Sequence, residues 1–396
     1  MGNIDKELKK IVDSGFKLSN DDYELESLAF VSLRLALKSY FSTYKSMEIS
    51  ISPLVKDYKD SQGNDMYSEE QLNWSHTRDY YENYCETIIH FQHFFELITK
   101  DILEKINKLL VVKVHGRYDI LYKLITNESL GREEEKLNTI EFSQVLTAFS
   151  QLNKKGIIDD KYKFLAKNEN IKVLKKLNNL RNRTWHRGLY VLPYKKLDNF
   201  IGKFVLPLAN KIARKPDYKK YERKWKYEYI ACGIDPLSEI INLYDSINEV
   251  FDEKILKKTA YLKELGRASY NNSIKKEEWK SKDYKKRNKA ICHTSMAYFY
   301  KKKFDSKSKV ALNTARVNKQ EGECYYNYIQ DYTCPVCGLK TLIEYIDHLD
   351  EDDMDYKCSY YEWTEEVNCS CCGFGVHNSL GNAKELELEL DSYFNE

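Results

Sequence analysis

Hydrophobic residues recur at helical spacing over much of the first half of the chain. Between residues 77 and 112, Ile88, Phe91, Phe95 and Ile98 follow one another at intervals of three and four residues, which places them on one face of a long amphipathic helix. The same pattern predicts further helices at residues 22–47, 118–125, 140–153, 170–186 and 194–215. Because the connections are short, we expect residues 77–215 to form a bundle of antiparallel helices.

The pattern changes near residue 328, where β-branched and aromatic residues begin to alternate with polar ones. Such alternation predicts short strands. The hydrophobic pattern therefore predicts a mainly α fold with a small β-rich module near the end of the chain. The expected domains are an N-terminal helical accessory region (1–76), a helical bundle (77–215), a basic helical region (216–327) and the β-rich module with an acidic tail (328–396).

The composition agrees with a helical chain, since 396 residues include only 15 Gly and 6 Pro, the residues that most often interrupt helices. A formal net charge of +2 hides a strong segregation of charge. Residues 275–309 carry thirteen Lys or Arg against four Asp or Glu, whereas residues 344–396 carry fifteen acidic residues against two Lys. The first of these segments is typical of a surface that faces a polyanion.

A second basic stretch, residues 215–229, interleaves Lys and Arg with aromatic residues, among them Tyr221 and Trp225. Cations attract phosphates, and exposed aromatic rings stack on unpaired bases. Both basic stretches are therefore candidate seats for an RNA loop. The alternative interpretation is a solvated, lysine-rich face without a partner.

The N-terminus lacks the apolar core of a signal peptide, and no stretch has the roughly 18 consecutive apolar residues of a membrane span. We therefore expect a soluble protein of the cytoplasm with no membrane partner. Motifs of the forms GxxxxGK[ST], GxGxxG, HExxH and GxSxG do not occur. Their absence argues against an intrinsic NTPase, a dinucleotide enzyme, a zincin and an α/β-hydrolase.

Six of the ten cysteines fall after residue 330, and four of them form two CxxCG motifs, Cys334 with Cys337 and Cys369 with Cys372. The CxxC spacing lets two thiolates of one tight turn reach the same cation, and the glycine lets the backbone turn back. Two such turns predict a tetrahedral Zn²⁺ site that resembles a zinc ribbon. Because four thiolates leave no open position for water or substrate, we expect a structural rather than a catalytic metal.

Other residues near the motifs offer alternative chemistry. Cys358, Cys371 and His377 are candidate substitutes for one of the four zinc ligands. His348 follows Asp347 between the two CxxC turns, as in HNH-type DNA nucleases, in which the histidine activates water. The asparagine-containing segment of such nucleases is not evident, so the simpler interpretation of His348 is the end of a strand beside an acidic loop.

The segment LRNRTWHRG, residues 180–188, places charged residues on a helix with an apolar stripe. At about 100° per residue, Arg181 falls inside the stripe that includes Leu174 and Trp185. A guanidinium in such a position needs an anion or hydrogen-bond acceptors. His186, five residues further on, points about 140° away from Arg181, so one undistorted helix cannot direct both side chains at one small ligand.

This segment resembles the signature of the HEPN domain, a helical bundle in which an Arg, a polar residue that is often Asn, a short spacer and a His follow one another. Arg181, Asn182 and His186 match that pattern, and the Arg187–Gly188 that follows is also common in the family. The resemblance covers about residues 77–215, and the segment FFELITKDIL within the long helix is similar to the first helix of the family.

The resemblance implies a metal-independent endoribonuclease whose active site forms where two domains dimerise. In this role His186 would exchange protons with the RNA 2′-OH or the leaving 5′-oxygen, Arg181 would bind the non-bridging oxygens, and Asn182 would orient the histidine or the phosphate. The family further implies a toxin or anti-phage effector that cleaves cellular RNA such as tRNA or mRNA, with an antitoxin or an activating partner. A non-catalytic module that binds nucleic acid or protein is the alternative.

Overall fold

The chain is described over most of its length by a computed structural model. The described residues are 8, 10, 11, 14, 25–246, 253–272, 331–349 and 361–388, with gaps at 56–58, 127, 131–136, 187–189, 370, 381–382 and 385. The helices are α1 (Leu25–Lys45), α2 (Ser52–Val55), α3 (Glu69–Trp74), α4 (Arg78–Ile106), α5 (Tyr118–Ile125), α6 (Phe142–Lys154), α7 (Asn168–His186), α8 (Tyr194–Phe200), α9 (Leu206–Ala213), α10 (Glu222–Trp225), α11 (Pro236–Asp245) and α12 (Glu253–Asn271). The described part is therefore mainly helical, as the hydrophobic spacing predicts.

The predicted helices of the first half of the chain are confirmed with small shifts at their ends. The helix predicted at 22–47 is α1, the one at 118–125 is α5, and the one at 170–186 is α7. The segment predicted at 194–215 is broken into α8, a π-helical turn at Ile201–Val205 and α9. Among the described residues, no helix combines the length and the apolar character that crossing a membrane requires.

Helix α3 begins within residues 52–71, a stretch whose many turn-forming residues predict a loop. Its start is a capping box, in which the Ser68 hydroxyl accepts the Gln71 amide at 3.2 Å and the Gln71 side chain accepts the Ser68 amide at 2.8 Å. These two hydrogen bonds satisfy amides that a helix start otherwise leaves free. Residues 68–71, SEEQ, match the pattern of a capping box, but the turn-forming residues before them favour a loop.

The predicted strands near the end of the chain form one antiparallel sheet with the order β1-β2-β3-β4. The strands are β1 (Asp331–Thr333), β2 (Lys340–Leu349), β3 (Tyr361–Cys369) and β4 (Gly375–His377). One CxxCG turn joins β1 to β2, and the other joins β3 to β4. Because β2 pairs with β3 from Leu342 opposite Cys369 to Leu349 opposite Tyr361, both turns lie at the same end of the sheet.

The contacts within the described chain define two compact units, each built from several separate segments. Unit 1 comprises Met1–Arg34, His90–Asn179 and Ala213–Trp225, and unit 2 comprises Leu35–Ile89, Leu180–Ile212 and Lys226–Glu396. The division falls within helices α1, α4 and α7. The four sequence-based domains stay a prediction.

Aromatic rings form the centre of unit 1. The Phe30 ring lies 5.8 Å from Phe94, 5.4 Å from Tyr218 and 5.3 Å from Tyr221, centroid to centroid. The Tyr218 hydroxyl donates to a carboxylate oxygen of Asp101 at 3.2 Å, so the buried phenol keeps a hydrogen-bond partner. This cluster fixes the segment 216–225 against α1 and α4 within the unit.

Unit 2 contains a fully buried ion pair between Lys263 of α12 and Asp198 of α8, with 2.8 Å between the ammonium and a carboxylate oxygen. The ammonium also lies 4.0 Å from the Tyr194 ring centroid and 5.0 Å from that of Tyr40. Burial raises the pKa of Asp198 and lowers that of Lys263, because both charged forms lose hydration. The pair therefore favours one alignment of α8 and α12 rather than adding much stability.

Helix α12 also packs closely against α1 inside unit 2. A Cβ atom added to Gly266 would lie 2.5 Å from the Phe41 ring, so only glycine fits this contact. The neighbouring Arg267 and Glu264 extend from the same helix toward the sheet. Helix α12 therefore connects the helical core of unit 2 to the cysteine turns.

Candidate functional site

Four cysteine thiols form one buried cluster at the end of the sheet. The Sγ atoms of Cys334, Cys337, Cys369 and Cys372 lie within 4.8 Å of one another. The Sγ–Sγ distance is 3.6 Å between Cys334 and Cys372 and 3.7 Å between Cys337 and Cys369. A tetrahedron of sulfurs at the usual Zn–S distance of about 2.3 Å has edges of about 3.8 Å. The cluster therefore has the size of a four-thiolate metal site.

The two CxxCG turns have the same backbone geometry. In each, the amide of the first cysteine donates to the carbonyl five residues later, and the glycine amide donates back to the carbonyl of the first cysteine. The N···O distances are 2.8 Å for Cys334–Leu339, 2.8 Å for Gly338–Cys334, 2.6 Å for Cys369–Phe374 and 2.9 Å for Gly373–Cys369. Gly338 and Gly373 both have φ of +70°, a conformation that side chains disfavour, as the motif predicts.

Burial of the cluster disfavours thiolates that have no partner charge. Burial raises the pKa of the Cys334 thiol well above its ordinary value of 9.0, because a thiolate without hydration or a partner charge is unfavourable. A divalent metal supplies the missing positive charge and binds the deprotonated sulfurs. The Cys371 amide also donates to the Cys369 sulfur at 3.4 Å, as expected for a turn that holds a thiolate.

The candidate substitute ligands have different positions. Cys371 is half-buried, and its sulfur does not belong to the cluster of four. His377 lies in β4, where its Nδ1 accepts the Ser379 amide at 3.2 Å. Cys358 lies outside the described residues. Among the described residues, the four predicted cysteines are the group that can hold a metal ion.

Each cysteine turn is hydrogen-bonded to another segment of unit 2. On the second turn, the buried Glu264 carboxylate accepts the Gly375 amide at 2.7 Å, and Arg267 donates both to Glu264 and to the Gly373 carbonyl. On the first turn, the Ala231 and Cys232 amides donate to the backbone carbonyls of residues 336 and 335 at 3.0 and 2.9 Å. The cysteine cluster is therefore part of the packing of unit 2, and no local sequence pattern predicts these partners.

The apolar stripe of α7 emerges at the surface near the end of the helix. Leu174 and Leu177 are completely buried and Leu180 is half-buried, whereas Trp185 is 64% exposed. The expectation that Trp185 belongs to the packing stripe is therefore wrong for the isolated chain. Its ring centroid lies 6.0 Å from the guanidinium of Arg181, within the range of a cation–π contact.

The three residues of the Arg–Asn–His motif lie on the last two turns of α7. Arg181 is half-buried and donates to the side-chain oxygen of Asn182 at 3.1 Å, and Asn182 is exposed. His186 is the last residue of the helix, and its side chain lies outside the described part of the structure. Because the helix continues through His186, the five-residue offset from Arg181 corresponds to a rotation of about 140°.

A cleft of about 340 Å³ lies within unit 2 beside the segment that follows α7. It is lined by Asn73, His76, Tyr81, Val191, Leu192 and Pro193. The segment is held in place by the Tyr80 hydroxyl, which donates to the Leu192 carbonyl at 2.6 Å. No local sequence pattern predicts this cleft, since its two sides are more than 100 residues apart in the chain.

The hydrogen bonds of the histidine in this cleft favour its neutral form. His76 Nε2 accepts the Tyr194 amide at 2.9 Å, and Nδ1 lies 3.1 Å from the carbonyls of Leu72 and Asn73. Carbonyls accept hydrogen bonds, so Nδ1 carries the proton and the imidazole is neutral. Burial lowers the pKa of His76 below its ordinary value of 6.5. His76 therefore shapes the cleft and holds no spare lone pair for catalysis.

Two aromatic residues of the second basic stretch, Tyr221 and Trp225, do not face solvent. Tyr221 and Trp225 are each only 4% exposed, and Tyr221 stacks on Phe30 within unit 1. The hypothesis that these two rings stack on RNA bases is wrong. The predicted basic segment 275–309 lies outside the described residues, and His348 lies in β2 opposite Glu362 with its side chain also undescribed.

Comparison of the chain with protein-family models, with curated proteins and with solved structures found no match in any of the three.

Proposed function

We propose that this protein is a metal-independent endoribonuclease of the HEPN type, in which the helices of residues 77–215 form the HEPN-like bundle. The observation that carries the proposal is the end of α7, where Arg181, Asn182 and an exposed Trp185 come together on the last two turns before His186. A guanidinium, an amide and an aromatic ring beside a histidine suit recognition and cleavage of a phosphodiester.

The chemistry follows from the side chains. A histidine that titrates near neutral pH takes the proton from the RNA 2′-OH, the 2′-oxygen attacks phosphorus, and the 5′-oxygen leaves with a proton from a second acid. Arg181 binds the non-bridging oxygens as negative charge accumulates on them, and Asn182 orients the histidine or the phosphate. The products carry a 2′,3′-cyclic phosphate and a 5′-OH.

A second copy of the chain completes the site in this proposal. At about 100° per residue, positions 181 and 186 lie about 140° apart around the axis of α7, and one histidine cannot be the base and the acid in the same step. An exposed Trp185 at the end of an apolar stripe is the kind of surface that association with another chain covers. A homodimer through the bundle brings two motifs to one cleft.

The proposed biological role is that of a cytoplasmic toxin or anti-phage effector that cleaves cellular RNA, tRNA or mRNA, under the control of an antitoxin or an activating partner. Zn²⁺ is the proposed occupant of the cluster of Cys334, Cys337, Cys369 and Cys372, because its preferred ligands and bond lengths match the four sulfurs. With four protein ligands, the ion has a structural role and takes no part in the cleavage.

The proposal is tested by expressing the wild-type chain, Arg181→Ala and His186→Ala in cells, followed by sequencing of RNA 5′-OH ends. With the wild type we expect growth arrest and new RNA 5′-OH ends. With either variant we expect no growth arrest and a yield of new 5′-OH ends that is lower by about 100-fold or more. Lys176→Ala, which changes an exposed cation on the same helix, is the matched control and should behave as the wild type. Growth arrest by His186→Ala, with the same new 5′-OH ends as the wild type produces, would contradict the proposal.

A further inference from the structure

We propose that the cleft beside the end of α7 binds an unpaired base of the RNA that the Arg181–His186 site cleaves. This inference rests on the proposed function and adds a subsite that selects single-stranded RNA. The cleft is defined by Asn73, His76 and Tyr81 on one side and by residues 191–193 on the other.

The shape and lining of the cleft suit a flat, partly apolar ring. Its volume of about 340 Å³ falls in the lower part of the range of small-molecule sites, about 300–1,000 Å³. Leu192, Pro193 and the half-buried Tyr81 supply apolar and aromatic surface. A nucleobase that stacks on an aromatic side chain buries its faces and leaves its edge for hydrogen bonds.

The polar groups of the cleft suit the edge of a base. Both ring nitrogens of His76 are already engaged by backbone groups, so this histidine adds a neutral wall. Asn73 is exposed at the last turn of α3, and its amide offers both a donor and an acceptor. Such a group can pair with the Watson–Crick or Hoogsteen edge of an unstacked base.

One cation of α7, Arg183, adjoins this lining through Tyr190. The Arg183 guanidinium lies 3.5 Å from the ring centroid of Tyr190, and Tyr190 directly precedes the segment 191–193 that lines the cleft. The Thr184 hydroxyl and the Tyr190 carbonyl are 3.5 Å apart, which keeps this residue beside the helix. Arg183 is exposed, so it can meet a phosphate while the adjoining base enters the cleft. A base pocket next to arginines favours a nucleotide over an uncharged or acidic peptide.

The experiment measures binding of fluorescein-labelled RNA to the full chain by fluorescence anisotropy. His186→Ala serves as the parent protein, so that the RNA stays intact. The probes are an eight-nucleotide rA oligomer, an eight-nucleotide rU oligomer and a fully paired RNA duplex. We expect both single strands to bind more tightly than the duplex, since a paired base cannot leave its stack without cost.

Tyr81→Ala should weaken binding of the single strands about 5- to 100-fold, since an aromatic ring that stacks on a base contributes on this scale. Tyr81→Phe keeps the ring and should bind within about threefold of the parent. Asn73→Ala, which alters an exposed side chain, should weaken at least one of the two oligomers and change their relative affinities. Melting temperatures of all variants identify a variant that fails to fold.

The possible results separate the subsite from the proposed function. Equal affinity of the parent, Tyr81→Ala and Asn73→Ala, or equal affinity for single strands and duplex, would overturn the subsite, and so would binding of none of the probes. If the melting temperature shows that Tyr81→Ala does not fold, the affinity of Asn73→Ala for the two single strands is compared with that of the parent instead. Cleavage of total RNA by the wild type is measured in parallel. Its absence, together with the expected loss of affinity in the variants, would refute the ribonuclease and retain the subsite.

Discussion

At the scale of single residues, His76 is a titratable side chain with a structural role, because both of its ring nitrogens bind backbone groups. The Tyr194 amide donates to its Nε2, and its Nδ1–H faces two backbone carbonyls. Only a neutral imidazole satisfies this arrangement, because a protonated ring has no acceptor for the amide. The histidine joins the end of α3 to the start of α8 and forms a wall of the proposed base-binding cleft.

The lowered pKa of His76 predicts a specific dependence of stability on pH. The unfolded chain binds a proton near pH 6.5 and the folded chain only at lower pH, so folding prefers the deprotonated form. This contribution is complete above pH 6.5 and is lost as the pH falls through the lowered folded-state pKa. We expect the melting temperature to fall between about pH 7.5 and about pH 5.5, as measured by circular dichroism.

His76→Gln is the matched variant for this measurement. It should melt below the wild type at pH 7.5, because glutamine cannot accept the Tyr194 amide and also replace the Nδ1–H donor to the carbonyls of Leu72 and Asn73. Its melting temperature should change much less over the same pH interval. An equal decrease in the two proteins would show that other groups cause the pH dependence.

Residue identity alone could not predict every role. Tyr221 and Trp225 have the composition of a nucleic-acid surface, yet both rings point into unit 1. The orientation of Tyr221 depends on Phe30, which is almost 200 residues away in the chain, and no local pattern predicts that contact. The sequence also could not predict that Asn73 and Tyr81 belong to the candidate base site. Nothing in their own segment indicates that residues 191–193 lie across from them.

At the scale of elements, local physics accounts for what the sequence could predict. The two CxxCG motifs gave the four members of the cluster, because each turn is closed by hydrogen bonds within six residues and by a glycine at positive φ. The helical spacing likewise predicted α7, yet Trp185 at its end lies in solvent. Periodicity states which residues share a face and not whether another element covers that face.

The attachment of the second cysteine turn to α12 is the element-scale feature that the sequence could not predict. Glu264 and the Gly375 amide are separated by 111 residues. Because Glu264 is completely buried, it needs both Arg267 and that amide to offset the loss of its hydration. Loss of the metal should therefore affect the helical part of unit 2 as well as the sheet.

Replacement of single cysteines tests this coupling. Cys369→Ser removes one of the four clustered sulfurs and should abolish binding of about one Zn²⁺ per chain, measured by mass spectrometry of the purified protein. We expect its melting temperature to fall by about 5–10 °C or more, since 1 kcal/mol corresponds to several degrees in a unit of this size.

Cys371→Ser is the matched control for the metal site. Its sulfur lies beside the cluster without belonging to it, so both zinc content and melting temperature should stay close to those of the wild type. Loss of zinc in Cys371→Ser with retention in Cys369→Ser would exchange the assigned ligands. Retention of the full melting temperature without zinc would contradict a structural role.

At the scale of the whole molecule, the helical class and the terminal β-rich part follow from the hydrophobic pattern. The two compact units do not, because each gathers three separate segments and the choice among such assemblies depends on long-range contacts such as Lys263 with Asp198. The proposed active site has the same character, since one chain provides one Arg181 and one His186 on diverging directions of α7. The proposed function therefore requires a homodimer, and the sequence of one chain does not show how two copies come together.

The most direct test of the central claim is RNA cleavage by the purified full-length chain in EDTA, with the chemistry of the new ends determined. A metal-independent Arg–His site predicts cleavage in the chelator, products with 2′,3′-cyclic phosphate and 5′-OH ends, and a rate at least about 100-fold lower for His186→Ala. Cleavage that requires an added divalent metal, products with 5′-phosphate ends, or an undiminished rate in His186→Ala would contradict it.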